Sequence, residues 1–281
     1  MAKKAGSMDR PSFSPFRWIR STYHRVHTFL TEETEDTPLP EVLAKSVNDL
    51  EGVLYHLDAL RKHLLRALIV LGLCVLVSFI FASRILDLLA TPIGGLEALQ
   101  AIDVTEPISV FMRVSLLAGF ALAVPYIAFE LWLFVAPGIS PKARIYGLLS
   151  LPLVGVFFLG GMLFAYYFFL PTALPFLIEF MGISTIPRPS TYISFVTRLL
   201  FFVGISFEFP FVIYVLANMG LVQARTLAKH WRIAVVVIAV IAAMVTPTVD
   251  PISMSLMMLP MMVLYAFSIG LAALARRGRS K

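Results

Sequence analysis

The feature that most constrains this chain is the length of its apolar stretches. Residues 145–178 form a run of 34 residues without a charged side chain. The hydrocarbon core of a bilayer is about 30 Å thick, and about 20 apolar residues of helix cross it. Inside lipid only helices and closed barrels satisfy every backbone polar group, and a run of this length favours helices. The chain is therefore predicted to be an all-α integral membrane protein.

Composition agrees with this prediction and excludes several other classes. Apolar residues make up 59% of the 281 residues and charged residues 14%, whereas a soluble chain carries about 25% charge. The one cysteine, Cys74, rules out a disulfide framework. His56 and His63 fit a solvated helix face better than a metal site, which needs further ligands. No phosphate-binding loop, metalloprotease or redox motif is present, so we expect no enzymatic activity, no cofactor, no metal and no nucleic-acid partner.

Six transmembrane spans are predicted. The third lies within residues 145–178, and we expect Pro171 and Pro175 to end its helix because proline lacks the backbone N–H. The fifth is short, about 21 Å for its 14 residues, so we expect the bilayer to be thinner beside it and span six. The other predicted spans are Leu64–Ser83, Ile108–Leu131, Ile193–Leu216, Ile233–Thr246 and Ser253–Ala273.

The distribution of Lys and Arg predicts the orientation. With the N-terminus inside, the cytosolic segments hold 19 of the 23 basic residues, and the outer loops hold Arg84 and Arg188. Arg113 and Arg198 lie within spans two and four, toward the outer side. Because cytoplasmic segments are enriched in basic residues, we expect a multi-pass protein of the cell inner (plasma) membrane with both termini in the cytoplasm.

The chain divides into four predicted parts. Residues 1–40 read as a basic, weakly ordered cytosolic extension, and residues 41–63 as a cytosolic amphipathic helix with leucine at three- to four-residue spacing. Residues 64–275 form the six-span membrane domain. Residues 276–281 form a basic cytosolic tail.

A lone carboxylate, Glu208, stands inside the apolar run Phe201–Phe211. An acid at bilayer depth costs about 2.5–3.5 kcal/mol on insertion scales, so it usually faces a protein interior or a wet cavity and has a function there. Pro210 bends the helix close to this acid. The alternative is a protonated glutamate satisfied by one neighbouring helix.

Five segments resemble the TatC family, the multispanning core subunit of the twin-arginine protein translocase. The resemblance covers about residues 50–275. Its most specific parts are the pattern FxxGxxFExP around Glu208 and a Pro-Gly pair that precedes Arg144 by five intervening residues. The segments are HLDALRKHLLRAL (56–68), ELWLFVAPGISPKAR (130–144), FLGGMLFAYYFFLP (158–171), FVGISFEFP (202–210) and TPTVDPIS (246–253).

The resemblance implies a cup- or glove-shaped bundle that exports folded proteins using the proton-motive force. Its cytosolic rim would bind the paired arginines of signal peptides, and its concave face would bind single-span TatA-like and TatB-like subunits in a homo- or hetero-oligomer within the lipid bilayer. Matched positions and their neighbours give three predicted sites. They are signal-peptide docking at Asp58, Arg61, Phe134, Pro137, Lys142 and Arg144, partner-helix docking at Glu208, Phe207 and Pro210, and outer-loop positions Pro92 and Asp250.

Two departures from the family pattern bear on recognition. The family's rim carries two glutamates, and carboxylates suit guanidinium because they bind it in bidentate fashion. Here these positions are Ala59 and Ala143. Asp58 points about 100° away around the helix from residue 59, and Asp49 and Glu51 are more distant substitutes.

Three functions therefore stay open at this point. The first is a core translocase subunit. The second is a TatC-like accessory or paralogous subunit that has lost arginine-pair recognition. The third is a proton-coupled transporter of small solutes that uses Glu208, although no internal repeat supports it.

Overall fold

The computed structural model describes residues 50–138, 141–178, 186–218, 220–245 and 251–279. The predicted extension over residues 1–40, the residues 41–49 and Asp250 lie outside these ranges. The described residues form helices and turns, with no strand among them. The helices are α1 (Leu50–Ala90), α2 (Glu106–Val135), α3 (Pro141–Phe164), α4 (Leu170–Ile178), α5 (Pro189–Asn218), α6 (Ala224–Lys229), α7 (Trp231–Val245) and α8 (Pro251–Arg279).

The all-α membrane architecture is confirmed. Within the described residues, five helical segments are long and apolar enough to cross a membrane, and α7 is a shorter apolar helix of 15 residues. At 1.5 Å per residue α7 is about 22 Å long, which is less than the hydrocarbon thickness. The five longer segments are Leu57–Ile93, Glu106–Val135, Leu151–Pro175, Pro189–Asn218 and Met257–Ala275.

The expectation that Pro171 and Pro175 end the helix of the third span was wrong. A π-helical turn, Ala165–Phe169, follows α3, and the helix then continues as α4 to Ile178. A wider turn changes which carbonyls need a donor, and membrane helices tolerate proline where such local adjustments re-satisfy the backbone. Helix α1 runs unbroken past residue 63, and α8 runs past residue 276 to Arg279. The division of the chain into a membrane domain and cytosolic parts at these positions stays a prediction.

Helix α5 forms the centre of the bundle. It packs against α2, α3 and α8, while α1 packs mainly on α2. Ile193, Leu199 and Val203 of α5 are fully or almost fully buried in the main apolar cluster. Helix α1 leaves most of its apolar side chains exposed, as expected of a helix with one lipid-facing side. Helix α5, which carries Glu208, is therefore packed between α2, α3 and α8.

Successive long helices run in opposite directions, so the bundle has two ends. We call the end where α1 begins and α2 ends the basic end, because Arg61, Lys62 and Arg144 lie there, and the other the opposite end. At the opposite end the Tyr166 hydroxyl donates to the Leu88 carbonyl at 2.7 Å, and the Tyr192 hydroxyl donates to the Leu89 carbonyl at 2.8 Å. These bonds connect the end of α1 to the π-helical turn after α3 and to α5.

The connection between α1 and α2 is ordered by short-range bonds. Pro92 lies in a 3₁₀ turn, Thr91–Ile93, that ends at Gly94 with a φ of 97°, a conformation that favours glycine. Further on, the backbone N–H and hydroxyl of Thr105 each donate to Asp103 Oδ1 at 3.0 Å. These two bonds hold the pKa of Asp103 below its usual value because they favour the charged carboxylate.

Candidate functional site

A polar cluster lies at the basic end, between α1 and α2. Tyr126, Glu130 and Phe134 follow one another at four-residue spacing on α2, which places them on one helix face. His63 of α1 meets this face. We refer to these four residues as the Glu130 cluster.

Glu130 is the centre of the cluster and is 3% exposed. His63 Nδ1 donates to its Oε2 at 2.6 Å, and the Tyr126 hydroxyl donates to its Oε1 at 2.6 Å. Arg66 is close enough to interact with the carboxylate electrostatically. Each carboxylate oxygen therefore has a donor, as a buried acid requires. A carboxylate offers about four acceptor positions, so capacity remains for a further donor.

Three predicted docking residues lie near the end of α2: Phe134 belongs to the Glu130 cluster, and Pro137 and Arg144 follow at the corner between α2 and α3. The Phe134 ring meets the His63 ring edge-on, with 6.4 Å between centroids. Arg144, at the start of α3, is buried and donates from Nη2 to the Pro137 carbonyl at 3.3 Å. This bond fixes the corner between α2 and α3, so the structure brings these three predicted residues to one corner of the basic end.

The other predicted docking residues are exposed on α1 or have side chains outside the described part of the chain. Arg61 is exposed on α1. Asp58 forms an exposed ion pair with Lys62, one turn along the same helix, at 2.6 Å. Its carboxylate is thus already matched by a neighbouring cation. Lys142 belongs to the first turn of α3, but its side chain lies outside the described part, as does that of Ala143.

Sequence reasoning gave no role to Glu130 and assigned His63 to a solvated face. Glu130 could have been found by the same signal as Glu208, which is a single charged residue within an apolar stretch. It is the only charged residue between Arg113 and Lys142, so it is another isolated acid in an apolar helix. Its pairing with His63, 67 positions earlier, could not be read from local spacing.

Glu208 lies on α5 where that helix crosses α3. A Cβ added at Gly204, one turn earlier, would lie 2.8 Å from the Phe158 ring, and one added at Gly161 of α3 would lie 2.9 Å from the Gly204 Cα. The two glycines therefore let the helices touch. Glu208 is half-buried, and its two carboxylate oxygens are shielded. The Phe158 backbone of α3 approaches the carboxylate, but no hydrogen bond of normal geometry reaches it among the described residues.

The neighbours of Glu208 take part in helix packing. Phe207 contacts Gly161 and meets the Phe164 ring at 5.6 Å between centroids. Pro210 is buried, and α5 continues beyond it to Asn218. Phe209 stacks on Tyr265 of α8, with centroids 6.3 Å apart. The carboxylate is thus held by a rigid apolar frame.

The described residues offer no group of three or more His, Cys, Asp or Glu side chains that could hold a metal ion. Fold and sites together define a helical, multi-pass membrane protein with a buried polar cluster at one end and an unsatisfied acid in its central helix. Such a molecule can present binding surfaces to other chains within and beside the bilayer.

Comparison with known proteins specifies the family. Residues 55–260 match the family model described as Sec-independent protein translocase protein (TatC). The TatC protein of Deinococcus radiodurans is 30% identical over 254 residues, covering 87% of this chain and 92% of that protein. The TatC protein of Carboxydothermus hydrogenoformans is 33% identical over 220 residues, covering 77% of this chain and 90% of that protein.

Solved structures agree. A crystal structure described as the twin arginine translocase receptor TatC superposes with a TM-score of 0.70 at 32% identity, covering 79% of this chain and 99% of the other. A second, of the same receptor in the detergent DDM, gives a TM-score of 0.71 and covers 77% of this chain. The chain belongs to the TatC family, and it is a core subunit of the twin-arginine protein translocase.

Proposed function

We propose that the basic end faces the cytoplasm and that the Glu130 cluster binds the arginine pair of signal peptides on folded cargo. The charge asymmetry of 19 basic residues inside against two in the outer loops supports this orientation. The observation that carries the recognition site is the buried Glu130 carboxylate, one helical turn before Phe134, in a chain that has alanine at the family's two rim positions. Glu130 supplies the acid that Ala59 and Ala143 lack.

The geometry suits a guanidinium ligand. The two bonds to Glu130 leave acceptor capacity on both of its oxygens, and an arginine can add a bidentate pair of bonds there. The His63 side chain is 21% exposed, so it forms the outer wall of the cluster. A movement of this ring opens Oε2 to a ligand from the cytoplasmic side. The Phe134 ring then provides an apolar surface for the residues beside the arginines.

Export of a folded reporter tests this assignment. We expect Glu130→Gln to reduce export of a twin-arginine reporter by about tenfold or more, because losing the charged partner of a buried pair costs a few kcal/mol. Asp58→Asn, the matched control, removes an equal charge from an exposed ion pair and should leave export within about twofold. Crosslinking from position 134 to the signal peptide should depend on both the arginine pair and Glu130.

The substitutions at 59 and 143 also motivate a second function, an accessory subunit that no longer reads arginine pairs. It predicts that crosslinking at position 134 is the same for arginine-pair and lysine-pair signals. Arginine-dependent crosslinking would exclude it. Loss of export in Asp58→Asn, with Glu130→Gln unaffected, would instead assign recognition to the exposed rim.

For the Glu208 region we propose docking of a single-span TatA-like or TatB-like helix. A shielded carboxylate without hydrogen bonds is costly, and a polar side chain from a partner helix would satisfy it. Apolar surface for such a helix is available on α8, where Met258 and Met262 border an open cavity of about 460 Å³. Methionine side chains adapt readily to a partner's shape.

A further inference from the structure

A polar cavity lies at the opposite end, where α2, α5 and the end of α7 meet, far from the Glu130 cluster. Its volume is about 360 Å³. Two arginines face it, Arg113 from α2 and Arg198 from α5, together with the hydroxyl groups of Ser190, Thr191 and Ser194. Arg113 Nη1 donates to Ser194 Oγ at 2.5 Å, which fixes one guanidinium against α5.

Neither arginine is matched by an acid within the described residues. The ion pairs found there join Asp58 to Lys62, Glu130 to His63 and Glu106 to Arg188. The acid on the same helix, Glu208, is ten residues from Arg198, or about 15 Å along the axis. The described lining of the cavity therefore carries two positive charges, three hydroxyl groups that can donate, and the apolar side chains of Phe195 and Val245, without a carboxylate. Two guanidiniums beside hydroxyl donors suit an anion.

The depth of these arginines matches a lipid phosphate. Helices α2 and α5 each have 30 residues, about 45 Å, so about 7 Å projects beyond each face of the hydrocarbon core. Arg113 lies about 10 Å from the start of α2, and Arg198 about 13 Å from the start of α5. Their Cα atoms are thus a few ångströms below the headgroups, and arginine side chains of this length snorkel upward.

Two further observations favour a lipid over a soluble anion. Basic residues near the outer face oppose the usual topological bias, so their presence within spans calls for a compensating ligand. Beside Arg113, the outer half of α2 also exposes Ile108, Met112 and Leu116, which are 69%, 52% and 57% exposed. A headgroup in the cavity would leave its acyl chains against this apolar face.

We propose that this cavity binds the headgroup of an anionic phospholipid from the outer leaflet. The phosphate accepts hydrogen bonds from the Arg113 and Arg198 guanidiniums, and the Ser190 and Thr191 hydroxyls donate to the remaining oxygens. A phosphate held by both arginines joins α2 to α5 near the Glu106–Arg188 pair. The outer leaflet follows from the proposed orientation of the bundle, whereas the site does not depend on whether the Glu130 cluster reads arginine pairs.

Native mass spectrometry of the full chain, released from nanodiscs of phosphatidylcholine doped with phosphatidylglycerol, tests the site. Wild-type protein should retain phosphatidylglycerol selectively. Arg113→Gln and Arg198→Gln should each lower that retention about tenfold, and the double variant should abolish selectivity. The matched control is Arg84→Gln. It removes an exposed arginine of α1 at the same end of the bundle, and lipid retention should be unchanged.

Unchanged phosphatidylglycerol retention in the double variant would overturn the proposal. Displacement of the lipid by millimolar inorganic phosphate would do the same, because it would identify a free anion as the ligand. Loss of a co-purifying single-span protein, with lipid retention intact, would assign the cavity to a partner's acid instead. Melting temperatures in pure phosphatidylcholine identify a misfolded double variant, and in that case the two single variants decide.

Discussion

At the scale of single residues, Glu208 lowers the folding stability of the isolated subunit. Its two carboxylate oxygens are shielded and unpaired among the described residues, while the surrounding glycines and aromatic rings are closely packed. Burying a polar group without hydrogen bonds destabilises a protein. A residue of this kind is stabilised once a second helix provides donors, which links the stability of the bundle to assembly.

This gives a prediction for two substitutions. Glu208→Met should raise the stability of the purified chain by about 1–3 kcal/mol, because a buried unpaired acid is exchanged for an apolar side chain of similar length. Glu208→Gln is the control of matched shape and should preserve the fold. Thermal unfolding in detergent measures the stability.

The same two variants should weaken assembly with co-expressed single-span subunits, as judged by native gels. A lower melting temperature for Glu208→Met would show that the acid already has a stabilising partner within the chain. A normal complex for both variants would remove Glu208 from the docking surface.

The two acids also show what sequence reveals about a site. Glu208 could be identified because its signal, one charge in an apolar run, is local. Glu130 is likewise a single charge in an apolar stretch, but its role depends on the rotation of α1 against α2, because that rotation brings His63 into contact with it. That rotation is set by contacts such as Gly119 against Val75, and sequence spacing alone does not specify it.

At the scale of helices, the crossing of α3 and α5 depends on Gly161 and Gly204. A methyl group at Gly161 would come within 2.9 Å of the Gly204 Cα and the Phe207 ring. Gly160, the adjacent residue, has nothing within 4 Å of an added Cβ. The chain thus contains two neighbouring glycines, of which only one lies at the helix contact.

We expect Gly161→Ala to destabilise the protein by about 1–3 kcal/mol, because the backbone of α5 must move to admit the methyl group. Gly160→Ala should be neutral or stabilise by up to about 1 kcal/mol, because alanine favours helix over glycine. Thermal unfolding of both variants under identical conditions makes the comparison. Equal effects of the two substitutions would contradict a close contact at Gly161.

The helices also show why proline predicts a helix end poorly in this chain. Pro125, Pro152, Pro210 and Pro260 all lie inside helices. In lipid the alternative to a bent helix is an exposed backbone without hydrogen bonds, which costs more than the bend. The apolar pattern therefore located the spans well, whereas the end expected at Pro171 and Pro175 was wrong.

At the scale of the whole molecule, the apolar runs predicted the architecture because five of the six are long enough to cross a bilayer, among the described residues. The family assignment agrees with it over most of the chain. The rim differs, because recognition there depends on a few side chains whose identities have changed at 59 and 143. A fold defined by many apolar residues is retained when such positions diverge, and the binding chemistry has to be located again from the structure.

The last consequence concerns the membrane itself. Helix α7, about 22 Å long, underfills a hydrocarbon core of about 30 Å, and mismatch costs a fraction of a kcal/mol per ångström. We expect the melting temperature of the reconstituted protein to be highest in the thinner bilayers of a series from roughly 14- to 18-carbon acyl chains. Inserting one apolar turn of about four residues into α7 should move the optimum to thicker bilayers. The same insertion in α1, already 41 residues long, should leave the optimal bilayer thickness unchanged. An equal shift of that optimum from both insertions would show that α7 does not set the local thickness.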